Sequence, residues 1–274
     1  MSDLSDAIDA LTPDRYYVLG TDSSGTMVDR GTDGTNGTWT DQPTFSQAPI
    51  LGGSSAGATF NGTSDRGTFT CDLGSGDWTL AIVATVGGGT GGHPNRDFMW
   101  ATLFASSRLA AIWETNNLTE AYIGPGSGGR QVNVTKDSDP HLWIVRYHPD
   151  ATTGYWELWK DGTLVDSETG NITYTVPTTH YVGTDYTGNA QHWNGSLSDL
   201  AIWVGTALSE SDIEDLWTAA QGSGPVTASA RVTQAVRSTL TSGTPAARVT
   251  QAARVVLVAN VPPDDQRSEV VWRD

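Results

Sequence analysis

The chain carries 31 acidic side chains, about twice its Lys and Arg, and their spacing decides what chemistry they can do. Cleaving a glycosidic bond needs two carboxylates flanking one bond. The nearest candidates are Glu114 and Glu120 in ETNNLTE, and Glu157 in YWELWKDG. Glu114 and Glu120 fall on either side of a turn rather than on one strand face. Glu157 has Trp159, not a second acid, next along its own face. No Ser, His and Asp order with a glycine elbow occurs. The five histidines (93, 141, 148, 180 and 192) lack zinc-ligand spacing. GGGTGGHPNRD is glycine-rich but has no Lys-Ser/Thr to complete a phosphate loop. The expectation is a protein that binds rather than one that catalyses, with no required cofactor.

Binding chemistry has better candidates. Sugar recognition uses an exposed aromatic platform with amides or carboxylates beside it. Trp113, Asn116, Asn117 and Tyr122 gather at one hairpin, and Asp185, Asn189 and Trp193 at another. The competing fate of any Trp is burial in a core. Asp22, Asp29, Asp33, Asp65 and Asp185 lie in predicted loops, where carboxylate and carbonyl oxygens suit a hard cation, although no EF-hand spacing exists. Cys71 is the single cysteine, so no intrachain disulfide can form, and its strand position predicts a buried thiol.

The elements that must position these residues are short strands. The 31 Gly, and Ser/Thr/Asn/Asp clusters about every ten residues, punctuate the chain as all-β. DWTLAIVATV is apolar on both alternating faces, which predicts a central strand covered on both sides. RLAAIWETNNLTEAYIG reads as a hairpin, and Lys160-Asp161-Gly162-Thr163 as a type I′ turn. The segment from Thr21 to Gly57 reads mostly as a long loop. Two helices stand out. LSDAIDAL (Leu4 to Leu11) has helical periodicity and stops at Pro13. LSESDIEDLWTAAQG has Ser209 as N-cap, Asp212 three residues on, a Leu208–Ile213 staple and Gly222 as stop, and is placed to cover a sandwich edge. The predicted organisation is a helical arm over 1–14, a two-sheet antiparallel β-sandwich with a capping helix over 15–224, and a C-terminal β-strand module over 225–274.

Charge separates the last part from the rest. The chain carries a formal charge of −16 with only two lysines, Lys136 and Lys160, which excludes a nucleic-acid partner for the body. From Pro225 onward six Arg face four acids, so the tail is basic. Within it ARVTQAVRSTLTSGTPA is followed by ARVTQAARVVLVANVPP. In each unit apolar residues fall on one strand face, with Arg231, Arg237, Arg248 and Arg254 on the other. Two or three strands alone are marginal in water, so the tail should dock on the sandwich or pair with another chain, including another copy. Its basic face favours an acidic neighbour, and the alternative is a solvated appendage. The N-terminus has no basic segment followed by an apolar run, and no stretch reaches the roughly 18 apolar residues of a membrane span. The six Asn-x-Ser/Thr sequons therefore read as turns.

Several segments resemble the laminin-G-like, concanavalin-A-like jelly roll: RYYVLGTDSSGTMVDRGTDG, ATFNGTSDRGTFT, DWTLAIVATV, YWELWKDGTLV and, above all, WNGSLSDLAIWVGTALSESDIEDL. The resemblance runs from about Arg15 to Ala220. It implies a closing strand followed by a capping helix, with FNGTSDRGTF beginning an edge that the closing strand completes. It also implies that calcium, if bound at a rim, would be held by Asp65 and Asp185. The ARVTQ units resemble segments of tailed-bacteriophage virion proteins, and the excess of Arg over Lys suits a high-GC host. The implied protein is a non-enzymatic virion component of minor-tail or tail-fibre type. It would be made in the host cytoplasm without a signal peptide and carried on the virion exterior. Its sandwich would bind host-surface glycan or serve assembly, and its tail would contact other virion proteins. Two alternatives are a capsid decoration or head-fibre protein, and a glycan-processing enzyme on the same fold.

Overall fold

The computed structural model describes residues 3–22, 25–86, 97–104, 107–115, 118–123, 130–150, 154–169, 178–185, 187–188 and 191–222. In chain order the elements are α1 (Asp3–Ala10), β1 (Arg15–Tyr17), β2 (Thr26–Met27), β3 (Gly37–Asp41), β4 (Thr44–Pro49), β5 (Ala56–Asn61), β6 (Arg66–Thr70) and β7 (Trp78–Val86). Then come β8 (Asp97–Phe104), β9 (Ser107–Glu114), β10 (Leu118–Ile123), β11 (Arg130–Thr135), β12 (His141–His148) and β13 (Tyr155–Lys160). The series ends with β14 (Thr163–Thr169), β15 (Thr179–Val182), β16 (Asn194–Val204) and α2 (Glu210–Ala220). The expected long loop after Thr21 contains β2, β3 and β4. Their sequence alternates only weakly, because β4 is largely exposed at a sheet edge. The tail repeat lies outside the described residues.

The strands form two antiparallel sheets. The first runs β14-β13-β12-β7-β16-β5-β4, with β1 also paired to β16; the second runs β11-β10-β9-β8-β15-β6-β3-β2. The two-sided reading of β7 holds. Trp78, Leu80, Ile82 and Ala84 enter the core between the sheets, while Ala81 and Val83 face the opposite side of the sheet. Trp78 packs edge-on to Trp100 and Trp156, with ring centroids at 6.1 and 5.4 Å. His180 is stacked in the same core between Phe69 and Trp100. Burial pushes its imidazole down to about 4, so it is a neutral core residue.

FNGTSDRGTF turns out to be the crossing between sheets. β5 belongs to the first sheet, where Asn61 pairs with Asn194 of β16, and β6 belongs to the second. β5 is an interior strand, with β4 outside it, so the expected edge is one strand further out.

Both helices lie on the outer face of the first sheet. Leu4 and Ile8 of α1, and Ile213, Leu216 and Ala220 of α2, share one cluster with Val83, Ile144 and Trp203. α2 therefore caps the sandwich over a face, not over an edge, because the apolar alternate residues of β7, β12 and β16 need cover there. The capping box is formed: Asp212 N donates to Ser209 Oγ at 3.2 Å, and Ser209 N donates to Asp212 Oδ2 at 3.0 Å. Asp161 and Gly162, at φ 53° and 74°, make the expected hairpin turn between β13 and β14.

Candidate functional site

The residues expected to form sugar platforms are placed as follows. Trp113 and Tyr122 come together on the outer face of the second sheet, with Phe98, Ala101 and Ala111. Both rings are buried, 0 and 5 % exposed, so neither offers a face to a sugar. Trp193 is fully buried in the inter-sheet core. The period of a strand separates its two faces but cannot say that both are covered, which is why the platform reading fails for these three. Asn116, Asn117, Asn189, Arg231, Arg237, Arg248 and Arg254 lie outside the described residues.

Asp65 and Asp185 are both buried at one rim, near the His192 imidazole, which contacts the Asp65 backbone and feels the Asp185 charge. Their carboxylates serve local turns. Asp65 accepts from Asn61 N at 2.8 Å and Asn61 Nδ2 at 2.7 Å, and Asp185 accepts from Thr187 Oγ1 at 2.7 Å. Burial pushes the Asp65 carboxyl up. Among the described residues no group of three or more His, Cys, Asp or Glu is placed to hold a metal ion, so the two carboxylates stand without a third such ligand.

The candidate catalytic acids are committed elsewhere. Glu114 is paired with Thr119 and Glu120 with Trp113, so the two acids project from opposite faces. Glu120 accepts from Trp113 Nε1 and Gln131 Nε2. Glu157 accepts from Arg146 Nε at 2.7 Å and Trp159 Nε1 at 2.8 Å. Arg146 lies over the Tyr155 and Trp159 rings and donates to the Leu208 carbonyl at 2.7 Å. That ion pair pins the approach to α2.

A groove of about 430 Å³ opens beside α1, lined by Ser5, Val18, Thr21, Arg30, Pro49, Gly52, Ser54, Ser55 and Ala56. Its volume is within the range of small-molecule sites. One wall is the turn after β2. Asp29 organises it, accepting from Tyr16 N at 2.9 Å, Gly31 N at 2.8 Å and Thr35 N at 3.0 Å. Arg30 N donates to Tyr16 O at 2.7 Å, which fixes the backbone from which the Arg30 side chain leaves. Arg30 Nη2 donates to Thr21 Oγ1 at 3.3 Å.

The opposite wall is the β4–β5 connection. Leu4 N donates to Gly53 O at 3.0 Å, and Gly53 N to Ala220 O at 2.9 Å, so both helices hold this loop. A Cβ on Gly53 would lie 1.9 Å from Ala219 O, so only glycine allows the approach. Behind the groove sits Asp199, in the middle of β16 with φ 46°, where the pairing with β7 shifts register. This bulge turns a fully buried carboxylate toward Tyr16 OH at 2.8 Å and Ser55 N at 2.7 Å. Burial pushes the Asp199 carboxyl up. A left-handed non-glycine residue and a buried acid are both costly, and such strain clusters at functional sites. The sequence reading missed this site. Its residues come from four separated segments, and the only local trace is one Arg within an acid-rich stretch, DRGTDG.

The strands and helices define an all-β, two-sheet sandwich, and comparison with known proteins bears on that fold. No family model matches the chain, and no curated protein matches it. Among solved structures, the receptor-binding domain of botulinum neurotoxin C/D mosaic serotype superposes with a TM-score of 0.60 at 9 % identity, over 76 % of this chain and 51 % of that one. The botulinum neurotoxin serotype D ligand-binding domain, in complex with N-acetylneuraminic acid, gives 0.57 at 11 % identity over 79 and 52 %. The binding domain of botulinum neurotoxin DC in complex with rat synaptotagmin II gives 0.58 at 10 % over 77 and 52 %. This chain spans about half the length of these structures. At such identities the likeness establishes a shared β-sandwich fold.

Proposed function

We propose that this chain is a non-enzymatic carbohydrate-binding β-sandwich, displayed on the exterior of a tailed-bacteriophage virion. The observation that carries the binding reading is the open groove beside α1, lined by apolar and polar residues together and bordered by a partly strained frame. The fold of receptor- and ligand-binding domains supports it, one of them solved with a sugar acid. Commitment of Glu157 to Arg146, and the opposed faces of Glu114 and Glu120, weigh against a glycosidase.

The virion role rests on the sequence. The basic module over 225–274, with its ARVTQ repeat at 230–263, suits attachment to an acidic neighbour, and the negative body suits an outward position. Minor-tail or tail-fibre placement is the first reading and capsid decoration the second. Within this reading the units are 1–14, 15–224 and 225–274. The test is a glycan array on the full chain, paired with a reducing-end assay on every binder. Binding without release of reducing ends is expected. Release of reducing ends overturns the non-enzymatic assignment, and a blank array overturns the binding one.

A further inference from the structure

We infer that the groove beside α1 binds a carboxylate-bearing sugar, with Arg30 as the residue that reads the carboxylate. This rests on the carbohydrate-binding reading above and narrows it to acidic saccharides.

The observation is an unsatisfied cation in a protein with a large surplus of acid. The chain has 31 Asp and Glu against 15 Lys and Arg, so an exposed cation should readily find a counter-charge. Among the described side chains the others do. Arg15 sits 2.7 Å from Asp33, Arg66 3.3 Å from Asp41, Lys136 2.9 Å from Glu114 and Arg146 2.7 Å from Glu157, and Lys160 is paired with Asp137. Arg30 is the exception among the described residues. Its partner is the neutral Thr21 hydroxyl, and no carboxylate of those residues comes within 4.0 Å.

The nearby acids are held off it. Asp29, the preceding residue, is turned fully inward onto the backbone of its own turn and onto Arg15 Nη1 at 3.3 Å. Asp22 lies within electrostatic reach, but its oxygens accept from Val28 N at 3.1 Å and Trp39 Nε1 at 3.2 Å. The guanidinium is thus left at the mouth of a groove with most of its donors available. A planar fork of donors matches a carboxylate in a bidentate manner.

The rest of the groove suits a pyranose ring. Of its hydroxyl-bearing lining residues Thr21 is exposed and Ser55 half-buried, and Pro49 and Ala56 supply an apolar patch for the C–H face of a ring. Asp199 acts as a positioning residue: it holds Ser55 N, and hence the far wall, at a set distance from the β1 side through Tyr16. A neutral hexose can use the hydroxyls and the apolar patch. A uronate adds the charge that Arg30 lacks.

The test uses the full-length chain and two matched pairs, glucuronate with glucose and galacturonate with galactose, titrated by ligand-observed NMR. Each uronate is expected to bind about tenfold tighter than its neutral twin, the size of one charge-assisted hydrogen bond. Arg30→Ala should abolish that preference, and Arg30→Lys should restore only part of it. Arg30 is exposed, so both variants should keep the wild-type circular dichroism spectrum. Equal affinity within each pair overturns the inference, as does an Arg30→Ala protein that keeps the preference. Sulfate displacing glucuronate at equal potency also overturns it, leaving a plain anion site. If neutral sugars bind and Arg30→Ala changes nothing, this inference fails while the carbohydrate-binding reading stands. If none of the four sugars binds and the glycan array is blank, both fail.

Discussion

Glu114 is buried beside Lys136, and burial outweighs that ion pair, pushing its carboxyl up to about 7 from an ordinary 4.5. The folded state therefore holds a proton there that the unfolded chain has released. Stability must fall as pH rises from about 4.5 through 7, by a quantity on the order of 3 kcal/mol. Glu114→Gln should remove this slope, so urea midpoints of variant and wild type should diverge between pH 5 and 8, with the variant gaining. Parallel curves would show that the side chain is ionised in the fold at no cost. His141 adds a slope of the same sign. Burial opposes its charge, but hydrogen bonds to Asp161 and Asp137 outweigh burial and raise its pKa. Its contribution is complete below the unfolded value near 6.5 and is lost as pH rises through the folded one. Calcium belongs to the same scale. Because Asp65 and Asp185 are engaged in turns, a chelator should leave the melting temperature unchanged, and a fall of about 10 °C would restore a rim calcium site. At this scale the sequence is a poor guide. It named Trp113 and Tyr122 correctly as neighbours, yet only the packing around both faces of β9 and β10 shows that they are buried.

α2 is held by local and long-range devices, which can be separated. The capping box is local, so Ser209→Ala should cost about 1 kcal/mol, read as a small drop in denaturation midpoint with no change in cooperativity. The Arg146–Glu157 pair is long-range, linking β12, β13 and the Leu208 carbonyl. The Gly53 contact is also long-range, and Gly53→Ala should cost about 3 kcal/mol, because a Cβ there meets the Ala219 carbonyl. A mild effect of that substitution would mean that the β4–β5 loop can shift away from α2, and the groove wall with it. The helix itself was legible from SESDIEDL, since capping residues act within one turn. Its seat on a sheet face was not, since that depends on strands β7, β12 and β16 being neighbours.

For the whole molecule, the described residues build two core layers from their own side chains, one of aromatic and aliphatic residues between the two sheets and a second under the helices. Deleting residues 225–274 should therefore leave a folded sandwich with unchanged circular dichroism, while removing any self-association or virion incorporation. Light scattering on the full chain and on residues 1–224 tests this. An unfolded truncation would mean that the tail supplies part of the core. By itself the sequence determined the features that act over a few residues or repeat with a fixed period: the all-β class, the two-faced β7, the Asp161–Gly162 turn, the capping box and the acidic body with its basic tail. Only the tertiary structure decided which faces are covered, that FNGTSDRGTF crosses from one sheet to the other, and that Arg30, Ser5, Ser55 and Asp199 meet around one groove. The physical reason is range. Propensity, capping and turn geometry are set by neighbours in the chain, whereas burial and a binding site are set by contacts between residues as far apart as Ser55 and Asp199.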